Sequence, residues 1–142
     1  MKKTRSILSR VVDILRTQPA PAPRRVLIAN TTRHTVLASR VEVADTSESR
    51  RKGLLGRTGL DREEGMWILP CESVHTFAMR FPIDIVYIDK QHRVRKVKQN
   101  VPPWRLSACF SAHSVVELAS GTIRDSRTEP GDLLKIESSA VL

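Results

Sequence analysis

From Val26 onward the chain alternates apolar and polar residues with a period of two, in short runs set apart by turn-forming residues, and this limits its fold more than any other feature. Successive side chains of a strand point to opposite faces, so such a run offers one face to a core and the other to water. VLIAN (26–30), TVLASRVEV (35–43), GMWILP (65–70), SVHTFAM (73–79), IDIVYID (83–89), RVRKVKQNV (93–101), SVVELASG (114–121) and LLKIES (133–138) all read as strands. DKQHR joins IDIVYID to RVRKVKQ as a hairpin, and EPGD turns the chain into the last strand. Arg93, Arg95, Lys96 and Lys98 charge both faces of the hairpin's second strand, as suits an edge protected against further pairing. VPPWRLSACFSA (101–112) reads as a loop held extended by Pro102 and Pro103, with Trp104 as a local anchor.

One segment breaks the period. In ADTSESRRKGLLGRTGL, Asp45 or Thr46 can cap a helix, Glu48 lies in its first turn, and Arg50, Arg51 and Lys52 lie near its far end, matching the helix dipole. Gly56 follows as a stop, so a short helix is predicted over 47–56, with Leu54 and Leu55 turned to the core and the basic triplet as a solvated face. Many short strands with one helix predict a mainly β fold (α+β in minor part), built as a small β-sandwich or partly closed barrel.

With 142 residues the chain is most simply one domain, and aromatics at 4% leave the core to Val, Ile and Leu. No run approaches the roughly 18 apolar residues of a membrane span. The formal charge of +9 is unevenly placed: residues 1–25 hold seven basic and one acidic side chains, the other 117 hold 17 and 14. The division predicts a basic arm over 1–25 and one globular domain over 26–142, the latter too mildly basic to demand a nucleic acid. In the arm, Ile7, Leu8, Val11, Val12, Ile14 and Leu15 share one side of a helical wheel, Pro19 ends the pattern, and QPAPAP continues as a stiff linker. It reads as a solvated arm or as an amphipathic helix for an anionic membrane or a partner. Ser9, Arg10 and Asp13 interrupt any secretory apolar stretch, so a cytoplasmic location is expected, with peripheral membrane association as the variant.

CESVHTFAM places Cys71, His75 and Met79 four residues apart, a set that would suit Cu(I) on a helix. The β-branched and aromatic content favours a strand, where four residues span roughly 13 Å, so one-strand chelation is rejected and no metal or cofactor is assigned. If the chain turns at Arg80–Pro82, strands 73–79 and 83–89 run antiparallel and His75 approaches Asp84, either as a structural pair or for acid–base work. Cys71 and Cys109 allow a disulfide, a reactive Cys71, or two buried thiols, the last being the reading for a chain without an export signal.

RRKGLLGR, GMWIL, HTFAMRFPIDIVYID, SVVELASG and PGDLLKIE, in that order, resemble the domain-of-unknown-function 192 family from about Val36 to Ile136. Its pattern residues fall on Arg51, Gly53, Leu54, Gly65, Met66, His75, Met79, Pro82, Ile83, Asp84 and Asp89. The resemblance implies a compact, mostly β fold with one short helix, and it brings no established activity. Many relatives open with a secretory or lipoprotein signal, from which this chain departs.

Three functional readings follow. The first is a non-catalytic module that holds a small ligand or partner segment through His75, Met79, Arg80, Asp84 and Trp104. The second is a small enzyme using the His75/Asp84 pair or Cys71. The third is anionic-membrane or nucleic-acid association through residues 1–25.

Overall fold

The computed structural model describes residues 21–139, and ahead of them 6–8 and 11–12. Ile7, Leu8, Val11 and Val12 are helical and exposed, while the rest of the expected arm helix lies outside the described residues. Among the described residues nine strands follow in chain order. They are β1 (Arg25–Asn30), β2 (Thr35–Ala44), β3 (Glu64–Ile68), β4 (Ser73–His75), β5 (Ile83–Ile88), β6 (Val94–Val101), β7 (Leu106–Ala108), β8 (Ser114–Ala119) and β9 (Leu134–Ser138). Two short helices join them, α1 (Ser47–Lys52) and α2 (Thr122–Ser126).

Seven strands form one sheet in the order β6-β5-β8-β3-β2-β1-β9, and β4 pairs with β7 apart from it. Neighbours run antiparallel except β2 and β3, which are parallel and joined through α1. The sheet curls until its two edge strands approach. Arg93 bridges Leu133, Val94 N–H donates to the Asp132 carbonyl at 2.8 Å, and Gly131 N–H returns to the Val94 carbonyl at 2.8 Å. The result is a partly closed barrel. The basic strand β6 sits at its edge, as its Lys and Arg content predicts.

One apolar cluster lies inside the curl and draws on nearly every wall: Ile28, Leu37, Val41, Val86, Val94, Leu118 and Leu134, with Ile123 of α2. A second lies on the outer face, where Met66, Ile68, Ile83, Ile85, Tyr87 and Val115 are covered by Leu54, Val74 and Met79. β5 and β8 are buried along their whole length, which explains why IDIVYI and SVVELA are apolar apart from Asp84, Ser114 and Glu117. Gly65 on β3 is held between two neighbours: a Cβ there would stand 2.9 Å from the Glu117 carbonyl oxygen and 3.0 Å from the Leu118 side chain.

Local chemistry fixes α1. Ser49 N–H donates to Thr46 Oγ1 at 3.1 Å, and Thr46 N–H donates to Ser49 Oγ at 3.0 Å, a reciprocal cap. The helix stops at Lys52, shorter than the expected 47–56, because Gly53 takes φ 47°, ψ −132° and turns Leu54 into the core. Thr46→Ala is expected to cost about 1 kcal/mol. A urea midpoint lowered at constant slope would record it; an unchanged midpoint would mean α1 frays without consequence for the fold.

Two other expectations are corrected. The strand predicted over 73–79 covers only Ser73–His75, and its partner is β7, inside the segment read as loop, not β5. The buried Thr76 diverts the chain: its hydroxyl donates to the Pro102 carbonyl at 2.7 Å and accepts Arg105 N–H at 2.9 Å, and Ala78 follows at φ 60°. The sequence also shows one helix where there are two. α2 begins at Gly121 without a side-chain cap of its own, and Asp84 supplies the acceptor from β5, taking Ile123 N–H at 2.8 Å.

Candidate functional site

The outer cluster does not close completely. Between α1 and β4 a cleft of about 520 Å³ reaches down to β3 and β8. Leu54, Ile68, Val74 and Met79 form its apolar walls, Arg50, Arg51 and Lys52 stand on the helix side, and Cys71 and His75 lie opposite. Of the residues singled out in the sequence, the fold therefore brings Cys71, His75 and Met79 to one cavity. The three line one cleft although the strand over 73–79, on which their spacing was judged, ends at His75.

Glu117 lies at the bottom. It is the sole charged residue of SVVELA, stands opposite Ile85 on β5, and is only 4% exposed. Its Oε2 has no hydrogen-bond partner among the described residues. Burial pushes its carboxyl up to about 7, and the distant charge of Arg57 opposes this only in part, since that guanidinium donates to Glu42 at 2.8 Å. Arg50 and Arg51 spend a hydrogen bond each on helix-side carbonyls, of Asp45 at 3.1 Å and Ser47 at 3.2 Å. Among the described residues neither they nor Lys52 are ion-paired, so their charge is free to face the cleft.

Cys71 is a half-buried free thiol that donates to the Ser73 carbonyl at 3.1 Å, and burial pushes its pKa up. A thiol so held stays protonated at neutral pH, which disfavours a thiolate nucleophile. Cys109 is also free. Tyr87 lies near both, its hydroxyl likewise pushed up by burial; the Ser107 hydroxyl is near enough to temper that rise, yet neither oxygen reaches hydrogen-bond geometry.

His75 lines the cleft but is engaged locally, and Asp84, Arg80 and Trp104 lie elsewhere. The His75 ring stacks on Phe77 at 5.0 Å, and its Nδ1 accepts Phe77 N–H at 3.3 Å. Asp84 is fully buried, and its other oxygen accepts Asn100 N–H at 2.8 Å. With β4 paired to β7, the expected antiparallel meeting of His75 with Asp84 does not form. Arg80 and Trp104 are exposed outside the cleft. Among the described residues no three His, Cys, Asp or Glu side chains gather as a metal site, and no helix is long and apolar enough to cross a membrane. Glu117 was overlooked in the sequence, although a lone carboxylate in a doubly buried strand is its own signal.

Comparison with known proteins agrees with this architecture. The chain is 33% identical over 114 residues to a UPF0127 protein of Thermococcus gammatolerans, covering 76% of this chain and 73% of that one. It is 31% identical over 114 residues to a UPF0127 protein of Thermococcus kodakarensis, covering 76% and 71%. A crystal structure of a protein of unknown function from Novosphingobium aromaticivorans superposes with a TM-score of 0.67 at 27% identity, covering 82% of this chain and 93% of that one. A crystal structure described as a putative transcription regulator from Sinorhizobium meliloti shares the fold, with a TM-score of 0.71 at 24% identity over 84% of this chain and 97% of that one. The model of the DUF192 family, described as "Uncharacterized ACR, COG1430", matches residues 28–136, and the chain belongs to that family.

Proposed function

We propose that the protein is a small-ligand binding module whose cleft takes an amphoteric molecule, with an amine on Glu117 and a carboxylate or similar anion on Arg50 and Arg51. The observation that carries this reading is the unpartnered, buried carboxyl at the bottom of a cavity large enough for a small molecule. A buried acceptor left empty is costly, and an ammonium donor would satisfy both its geometry and its charge. The basic side chains of α1 complement the opposite end, and Leu54, Val74 and Met79 enclose an aliphatic body. Of the residues named from sequence, His75, Met79 and Cys71 belong to the walls, whereas Asp84, Arg80 and Trp104 do not.

Binding is favoured over catalysis because the groups that would share the work with Glu117 are committed. Cys71 holds its proton, and His75 is engaged with Phe77. A reducing, cytoplasmic setting accords with two free thiols.

Isothermal titration against a panel of α-amino acids and dipeptides tests the idea. A binder is expected whose affinity falls at least about ten-fold in Glu117→Gln and in Arg51→Ala. Because the amine needs the ionised carboxyl, and that carboxyl titrates at about 7, binding should tighten about ten-fold from pH 6 to pH 8. Binders that ignore both substitutions, or a panel with none, would overturn it.

A further inference from the structure

The lobe formed by β4, β7 and their flanking turns displays apolar side chains that nothing covers. Phe77 is 42% exposed, Trp104 66%, Leu106 72% and Phe110 81%. Three of them are linked: Phe77 stacks on Trp104 at 6.0 Å and on His75 at 5.0 Å, and His75 pairs across the ladder with Leu106. Phe110 stands at the tip of the next turn, which Ala112 N–H closes onto the Cys109 carbonyl at 3.0 Å. A scattered exposed leucine is ordinary, whereas a linked phenylalanine, tryptophan and leucine with a second exposed phenylalanine on the same small lobe marks an interaction site.

Their display is held in place by the backbone. Trp104 sits at φ 67°, a left-handed conformation that a bulky residue adopts only when its surroundings impose it. Thr76 imposes it, accepting Trp104 N–H on its carbonyl at 3.0 Å and Arg105 N–H on its hydroxyl at 2.9 Å.

Charge names the partner. Arg80 and Arg105 are exposed on the lobe, Arg95 donates to Ser111 beside Phe110 at 3.3 Å, and Lys96 donates to the Ala108 carbonyl at 2.7 Å. Residues 71–80 and 101–113 contain Glu72 as their one carboxylate. Across the cleft mouth stand Arg50, Arg51 and Lys52, and the arm enters the domain beside that same helix, where Pro21–Arg24 and α1 line a common groove. The arm adds seven basic side chains to one acidic over residues 1–25, with Ile7, Leu8, Val11 and Val12 exposed on a helix.

We propose that the β4–β7 lobe docks on an anionic lipid bilayer, with Trp104, Leu106 and Phe110 seated at the headgroup boundary and the surrounding Arg and Lys side chains meeting the surface charge. Tryptophan and phenylalanine favour that boundary, and basic residues strengthen attachment to an anionic surface. Exposed Leu106 speaks against a nucleic-acid platform, since an aliphatic side chain offers a base no stacking surface. The inference is independent of the cleft's ligand.

The test is co-sedimentation of the full chain with vesicles of phosphatidylcholine alone and of phosphatidylcholine with phosphatidylglycerol, together with tryptophan emission. Binding to the anionic vesicles with a blue shift is expected; Trp67 is already buried, so the shift reports Trp104. Leu106→Ser/Phe110→Ser should weaken partitioning at least about ten-fold while its melting curve stays unchanged, because both residues are exposed. The proposal falls if the full chain ignores anionic vesicles, or if the double variant binds them as well as the wild type. It falls equally if that variant instead abolishes binding to single-stranded DNA or dissociates a dimer, either of which would give the patch another occupant.

Discussion

Asp84→Ala is expected to destabilise the protein by about 3 kcal/mol or more. The carboxylate is fully buried and joins three elements, with one oxygen accepting Asn100 N–H at the end of β6 and the other Ile123 N–H at the start of α2, both at 2.8 Å. An alanine leaves both donors without their acceptor, at about 1–3 kcal/mol each, and adds a small void. Asp84→Asn keeps one acceptor but presents an amide to the other N–H, so an intermediate loss is expected. Urea denaturation at constant slope measures both variants. A loss below about 1 kcal/mol in Asp84→Ala would mean that water re-satisfies the two amides and that the carboxylate is not what holds α2. His75→Ala should leave stability nearly unchanged, because its ring is exposed and takes no part in that junction. The contrast separates a structural Asp84 from an acid–base partner of His75.

Asp84 also shows where a sequence stops informing. The strands of the large sheet were legible because each is a short alternating or apolar run set off by its own turn residues, and α1 because Thr46, Glu48 and the basic triplet lie within one helix length. α2 carries no such signal: Gly121 gives no side-chain cap, and the missing acceptor comes from a residue 39 positions away in sequence. SVHTFAM failed for a related reason. Its composition is that of a strand, but Thr76 is bound to Pro102 and Arg105, and those long-range bonds outweigh local propensity. The site was half legible. Cys71, His75 and Met79 were marked by residue type and do line one cleft, while the basic triplet of α1 was read as solvated because nothing local reveals what it faces. Glu117 passed as one polar residue in a strand, since only the packing of α1 and β4 over the outer face of the sheet buries the side on which it stands.

Glu117 should also set the pH dependence of stability. Its carboxyl titrates at about 7 in the folded protein against an ordinary 4.5, so the folded state keeps a proton that the unfolded chain has already released. Below pH 4.5 both states are protonated and there is no penalty. Between 4.5 and 7 unfolding releases that proton, so stability falls as pH rises, and above 7 the penalty is constant. At 1.36 kcal/mol per pH unit the full effect is about 3 kcal/mol, undiminished by solvent because the group is buried. Glu117→Gln has nearly the same shape and never ionises, so the difference between its stability and that of the wild type should widen by that amount from pH 4.5 to 8. Parallel curves would show that water reaches the carboxylate and that the bottom of the cleft is wet. An amine held there supplies the missing counter-charge, so saturation with such a ligand should flatten the wild-type curve and leave that of Glu117→Gln as it was.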